Sequence, residues 1–380
     1  MTKKNLPKQI FINARFLTQS ITGVQRYAHE LIKALDYLIE RGEIDTSRYK
    51  FELLAPRRGI LHDLGLKHIP MRRVGYLSGH AWEQFELPFY STGGLLFCPG
   101  NTAPVLSLMS GRATVVTVHS LSYLLFPEAY SPAFRTFYKM IVPLVLRRAG
   151  AVITVSLSEQ EQIIKNYAPD RDRLHVIQNG AISKNFLDNI EGVSTPPEHS
   201  SHPFVLFVGS LSKAKNLQAV LQAIDILGND EGVSLVVVGE GGKTFNKGEF
   251  NYSEKLISKV DFKGQVDDLR ELIQFYRSAS CLVFPSLYES SGLPPIEAMA
   301  CGCPVIASSI PALMERCGDA AVYCDPQNPA DIAGKIRLLI NDVSLREALR
   351  QKGFERAKHF TWEKCARETF SVIADTIKQV

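Results

Sequence analysis

Short runs of β-branched and aromatic residues alternate along the chain with longer segments in which apolar side chains recur every three to four positions. The runs fall at 9–13, 51–55, 95–98, 114–119 and 151–155 in the first half, and at 204–209, 234–239, 281–285, 304–307 and 321–324 in the second. Most are apolar almost throughout, the pattern of strands buried on both faces of a parallel sheet. Segments of helical period lie between them, among them 24–38 and 158–167. This alternation predicts α/β domains with crossover helices on the sheet faces. One stretch breaks the rhythm: 188–203 (DNIEGVSTPPEHSSHP) mixes Pro, Ser and charge and reads as a linker. The 380 residues suffice for two domains with separate cores. The expected architecture is two Rossmann-like domains hinged near residue 195.

Composition adds exclusions. At 45% hydrophobic and 22% charged residues, the chain matches neither disordered nor collagen-like sequences. No run reaches the roughly 18 apolar residues of a membrane span. The opening MTKKNLP leads into a strand without the apolar stretch of a signal peptide, so the expected location is the cytoplasm. Seven cysteines, at 98, 281, 301, 303, 317, 324 and 365, form no C-x-x-C pair. Cys301-Gly302-Cys303 lacks a second ligand pair, so buried reduced thiols are expected and no metal site. Charge is uneven: residues 1–200 carry 23 Lys and Arg against 17 Asp and Glu, and residues 201–380 carry 20 against 22. Basic pairs at Lys3-Lys4, Arg57-Arg58, Arg72-Arg73 and Arg147-Arg148 fit peripheral contact with an anionic membrane, a phosphate-bearing acceptor, or a merely solvated face. No basic stripe with interleaved aromatics appears, so nucleic acid is not an expected partner.

Two stretches carry candidate chemistry. In 207–216 (FVGSLSKAKN) a strand ends at Gly209, a short loop holds Lys213 and Lys215, and a helix opens near Asn216. Lysine beside a helix N-terminus attracts anions, although from this stretch alone a solvated loop is the more ordinary reading. In 286–300 (SLYESSGLPPIEAMA) a loop bearing Glu289 and Gly292 runs into a helix with Pro294 and Pro295 in its first turn and Glu297 about one turn in. Such a loop offers amide donors for a phosphate and two carboxylates that accept sugar hydroxyls, with a capping carboxylate and a surface helical Glu as the plainer reading. Further back, 80–84 (HAWEQ) reads as packing at a domain edge more readily than as an acceptor-lining group. Tyr27 and Arg26 divide evenly between structure and function. The glycines at 239, 241 and 242 lack G-x-G-x-x-G spacing, which disfavours a dehydrogenase.

Glu289 and Glu297, with seven residues between them, match the E-x7-E signature of retaining GT-B glycosyltransferases, and their surroundings resemble family GT4. The likeness extends, in the family's order, through 21–31 (ITGVQRYAHEL), 116–127 (VTVHSLSYLLFP), 176–181 (VIQNGA), 207–216, 236–242 (VVVGEGG), 262–264 and 300–308 (ACGCPVIAS). It therefore spans essentially the whole chain. It implies an α/β GT-B fold with a cleft between two Rossmann-like domains. Residues 1–190 would bind the acceptor and 200–361 the nucleotide-sugar donor, with a C-terminal helix over 362–380 crossing back to the first domain.

Carried across position by position, the resemblance assigns Lys215 to the donor diphosphate, Gly23 to a close approach by the N-terminal loop, and His119 to the reacting sugar. Glu289 contacts the donor sugar or its phosphates, helped by the Gly292 and Leu293 amides. Glu297 binds the ribose and the Val266 region holds the base. Where the family often has Arg after the glycine, this chain has Ser210, as does a subset of the family, so either Lys213, Lys243 or Arg26 supplies the second cation or phosphate binding is weaker. Ser120 stands where Asp is common, and Ala214 where Arg is frequent. The implied activity is retaining, metal-independent transfer of a hexose from a nucleotide-diphosphate sugar to a glycan or lipid-linked oligosaccharide in surface-polysaccharide assembly, with no cofactor beyond that substrate. The opening NARFLTQSITGVQRYA is similar to bacterial mannosyl- and rhamnosyltransferases, which favours GDP-mannose and leaves UDP-glucose, UDP-GlcNAc and dTDP-rhamnose open. A GT-B sugar-nucleotide epimerase and a catalytically silent sugar-nucleotide binding module are the alternatives.

Overall fold

In the computed structural model, which describes residues 7–191, 203–228, 232–239, 256 and 258–378, the apolar runs become strands of two parallel sheets, all of them inner strands except the last. Contacts divide the chain into a first unit of Met1–Gly180 with Trp362–Val380 and a second of Ala181–Thr361.

The first unit holds seven strands: β1 (Lys8–Asn13), β2 (Tyr49–Pro56), β3 (Met71–Val74), β4 (Leu95–Cys98), β5 (Thr114–Val118), β6 (Ala151–Thr154) and β7 (Leu174–Val176). Their order is β3-β2-β1-β4-β5-β6-β7, all parallel. Every residue of β4, β5 and β6 is buried, which is why these strands read as unbroken apolar runs. Helix Gly23–Glu40 starts on a capping box between Thr22 and Gln25 and buries Tyr27, Leu31, Ile32, Leu35 and Leu38 along one stripe. Helix Trp362–Lys378 closes the same unit, with the Trp362 ring 6.0 Å from Tyr27 and Phe370 edge-on to Tyr49 at 5.1 Å. Tyr27 is thus a core residue, its hydroxyl 3.2 Å from Thr117 Oγ1.

The second unit holds β8 (Phe204–Val208), β9 (Ser234–Val238), β10 (Val260–Gly264), β11 (Cys281–Phe284), β12 (Val305–Ser308) and β13 (Ala321–Cys324). The order is β10-β9-β8-β11-β12-β13, again all parallel. In both sheets the chain starts in the middle, builds outward on one side, and returns to build the other. The order therefore reverses between β1 and β4, and between β8 and β11.

The boundary differs from the expected one. Of the stretch 188–203, residues 192–202 lie outside the described residues, while 188–191 complete helix Lys184–Glu191. That helix belongs to the second unit because the Ala181 and Ile182 amides donate to Phe360 O and Ile182 bridges Thr361. All seven cysteines are buried free thiols. Among the described residues, no helix is long and apolar enough to cross a membrane.

Candidate functional site

In an open parallel sheet, ligands bind beyond the carboxyl ends of the strands where the strand order reverses. The second unit puts its two chemistry-bearing loops there, one after β8 and one after β11. Beyond β8 the chain passes Gly209 and Ser210, makes a single 3-10 turn over Lys213–Lys215, and enters helix Leu217–Leu227 through Asn216. Asn216 adopts a left-handed backbone at φ 59°. Its side-chain amide donates to Pro285 O at 3.1 Å and Pro326 O at 2.7 Å, while the Leu287 amide donates to Ala214 O at 2.8 Å. These bonds fix the lysine loop to the loop after β11. The neighbouring β9 is followed by Gly239, where a Cβ would lie 1.9 Å from the Gly209 carbonyl oxygen. Only glycine permits that approach, which gives the isolated Gly239 a structural explanation.

The two loops meet in an ion pair between Lys215 Nζ and Glu289 Oε2. Lys215 also sits over the Phe284 ring, 5.2 Å from its centre. Glu289 Oε1 accepts from the Ser290 amide at 3.1 Å. Burial pushes the Glu289 carboxyl up, but the Lys215 ammonium and the Ser291 and Ser290 amides outweigh it and hold the group below the ordinary carboxylate range. Gly292 then turns left-handed at φ 65° and caps helix Leu293–Ala300; a Cβ there would meet Leu313 at 2.7 Å. Backbone conformation and packing therefore both require this glycine. Pro294 and Pro295 have no N–H, so the first-turn donors of this helix narrow to the Leu293 amide with Gly292 before it.

Glu297 lies one turn deeper, 1% exposed, and accepts a hydrogen bond of 3.0 Å from the Tyr276 hydroxyl. Ser286 and Ser291, on the same loop, have buried hydroxyls with no hydrogen-bond partner among the described residues. Ser210 is exposed, with its hydroxyl 3.2 Å from that of Ser212. Val266 is half-buried in the turn between β10 and helix Leu269–Ser278, on the same sheet edge but two strands from β8. Lys243, a candidate second cation, lies outside the described residues, as do residues 240–242. Lys213 is exposed beside Lys215.

In the first unit, Gly23 opens helix Gly23–Glu40, and a Cβ there would meet nothing within 4 Å. The fold does not require glycine at that position. His119 follows β5 and is buried, its Nε2 2.8 Å from Pro99 O and its amide donating to Asn101 Oδ1. Since a carbonyl only accepts, Nε2 carries the proton. Burial lowers the ring's pKa to about 4, so it stays neutral and Nδ1 is its unprotonated nitrogen. Trp82 is buried and Glu83 is a structural anchor: Asn13 donates to it at 2.7 Å, Thr102 at 2.8 Å, and His80 Nδ1 lies at 2.9 Å. Burial pushes the Glu83 carboxyl up, and Arg15, His80 and Thr102 together bring it down to about 2. Asn216, Tyr276 and Glu83 acquire their importance from partners at least 19 residues away in sequence for most of these bonds, which no local motif displays.

The model of the family Glycosyl transferases group 1 matches residues 194–356, and that of Glycosyltransferase Family 4 matches 97–182. O-antigen chain mannosyltransferase B of Escherichia coli is 29% identical over 268 residues, 68% of this chain and 69% of that one. An uncharacterised glycosyltransferase of Methanocaldococcus jannaschii is 30% identical over 266 residues, 69% of each chain. Against three further curated relatives the chain spans only 58 to 60% of their length. HepE of Anabaena, solved in complex with UDP and glucose, shares the fold with a TM-score of 0.69 at 18% identity, over 98% of this chain and 100% of that one. Kinship thus reaches into both units, each a parallel-sheet half of the GT-B fold, and the chain belongs to the family 4 glycosyltransferases.

Proposed function

We propose that this glycosyltransferase takes a hexose from a nucleotide-diphosphate sugar and passes it, with retention of anomeric configuration and without a metal ion, to a lipid-linked glycan acceptor. The observation that carries the reading is the Lys215–Glu289 pair, on loops that lead into two helices at the point where the second sheet reverses its order. Cleaving a sugar–phosphate bond builds negative charge on the departing diphosphate while the sugar becomes oxocarbenium-like. In this reading Lys215, once the diphosphate has displaced Glu289 from it, and the helix N-terminus stabilise that charge.

In this reading the diphosphate competes with Glu289 for the lysine, and the freed carboxylate turns to the donor sugar. The unpartnered Ser286 and Ser291 hydroxyls lie on the phosphate loop. Glu297, already oriented by Tyr276, accepts from the ribose; Ser210 and the Val266 turn contact phosphate and base. By the family resemblance, Gly23 and the neutral His119, with Nδ1 unprotonated, are the first unit's candidates for donor contacts. The acceptor hydroxyl attacks C1 from the face the diphosphate leaves. The old C1–O bond breaks, a new one forms, and the proton goes to the leaving phosphate oxygen. The kinship with an O-antigen mannosyltransferase supports GDP-mannose as donor.

The test is a thermal-shift series with GDP-mannose, UDP-glucose, UDP-GlcNAc, dTDP-rhamnose and an ADP-sugar, run in EDTA, followed by donor turnover. A ligand at 100 times its Kd adds about 2.7 kcal/mol, a readable shift. A shift with GDP-mannose and sugar release without metal are expected. A shift only with another nucleotide would overturn the donor, dependence on added metal would overturn the mechanism, and binding without turnover would leave a binding module.

A further inference from the structure

Ser291 is 9% exposed, and its buried hydroxyl has no hydrogen-bond partner among the described residues. The ordinary reason for a serine just before a helix does not apply to it. A capping serine accepts from the second or third amide of the first turn. In helix Leu293–Ala300 those positions are Pro294 and Pro295, which carry no N–H, and the helix has no side-chain cap. A buried hydroxyl left unpaired costs the free protein stability, so its place on this loop calls for another explanation.

The Glu289 carboxylate supplies one. Its Oε1 accepts from the Ser290 amide at 3.1 Å and faces the Ser291 amide at 3.5 Å, while Oε2 is held by Lys215. The Glu289 side chain is only 12% exposed, and a charge so far out of water needs partners. When a diphosphate draws Lys215 away, as the proposed transfer requires, Glu289 loses its counter-ion and keeps only the amides of its own loop. The unused donor next to those amides is the Ser291 hydroxyl. Ser286 has the other unpartnered hydroxyl of the loop, but it is fully buried just beyond β11, its carbonyl tied to Ser308 Oγ at 2.7 Å.

We propose that Ser291 is a positioning residue whose hydroxyl takes over the Glu289 carboxylate once a diphosphate has drawn Lys215 away. The hydroxyl is idle in the ligand-free enzyme; in the donor complex it donates to one carboxylate oxygen and leaves the other for the sugar. The inference rests on the proposed function only for the ligand that displaces the lysine.

Removing the lysine imitates its displacement, so the test is a double-mutant cycle on the full chain, read by denaturant unfolding without donor. In wild type, Ser291→Ala is expected to leave the second unit as stable as before or slightly more so. In the Lys215→Met background the same change should lower that unit's folding equilibrium constant by about tenfold or more, the effect of losing a hydrogen bond to a charged group. Ser291→Cys keeps the size with a weak donor and should follow alanine. In calorimetry with GDP-mannose, Ser291→Ala should weaken binding by about tenfold and have no further effect in Glu289→Gln, a dependence that a merely structural serine would not show. The proposal is overturned if Ser291→Ala costs the same in both backgrounds, if the coupling appears with Ser286→Ala instead, or if the binding loss persists in Glu289→Gln. A wild type that binds none of the nucleotide sugars would overturn the proposed function, while the unfolding cycle still decides the role of Ser291.

Discussion

Lys215 and Glu289 are 74 residues apart, and each is the other's counter-ion. Under the proposed chemistry the lysine acts on the leaving group and the glutamate on the sugar, so their losses should differ. Lys215→Ala is expected to cut turnover by roughly 100- to 1,000-fold, the usual effect of removing one pre-placed stabilising group. Glu289→Gln keeps the shape and removes the charge; it should lower turnover while nucleotide binding, measured by calorimetry, stays within about threefold of wild type. Turnover near wild type in both variants would remove the pair from the mechanism. Glu297→Ala separates in the other direction. It should weaken nucleotide binding and also destabilise the fold by about 1–3 kcal/mol, because a buried hydrogen bond to a carboxylate is lost.

At the scale of elements, the centre of each sheet was legible in the sequence and the edges were not. The strands read from apolar runs are inner strands and one edge, β13. Of the other three edges, β3 (MRRV) and β7 (LHV) have a single buried residue each and β10 (VDFKG) has none, so they show no continuous run. The site follows the same logic. Its loops are readable because each joins an inner strand to a helix with its own turn residues. The pins that hold them, Asn216 to Pro285 and Pro326 and Tyr276 to Glu297, are set by tertiary packing and leave no local pattern.

Two glycines at element ends make the contrast testable. Gly239→Ala places a Cβ 1.9 Å from a carbonyl oxygen in a backbone at φ 138°, so it should destabilise the second unit by about 3 kcal/mol or more. Gly23→Ala meets open space at a helix start and should leave the melting temperature unchanged or slightly raised. If Gly23 makes room for the donor, its alanine variant should nonetheless lose at least about tenfold in kcat/KM. Full activity in that variant would return Gly23 to an ordinary helix start.

At the scale of the whole molecule, the acid response is expected to be concentrated in the first unit. His29 and His119 are both lowered to about 4 by burial, with His62 and Lys33 adding to the effect at His29. Between pH 6.5 and 4 the unfolded chain binds protons at these positions that the folded chain does not. Stability therefore falls with pH across that window, by up to about 3 kcal/mol per unit when both contribute. Glu83, held at about 2, adds a further loss as pH drops from the ordinary carboxylate range toward that value. Denaturant melts from pH 7 to 4, with hydrogen exchange to localise the opening, should show the first unit loosening before the second. A stability that is flat from pH 7 to 5 would contradict the buried, neutral state of both rings.

The second unit is inserted into the first, since Trp362–Val380 belongs with Met1–Gly180. This imposes an order on synthesis. When residue 180 has been made, the first unit still lacks the helix that brings Trp362 to Tyr27 and Phe370 to Tyr49 and Phe51. The ribosome must add the whole of 181–361 before that helix exists, a delay of roughly 10–35 s at about 5–20 residues per second. For that interval the half of the protein made first is the half left unfinished, with an apolar seam open for chaperones or neighbouring nascent chains to find.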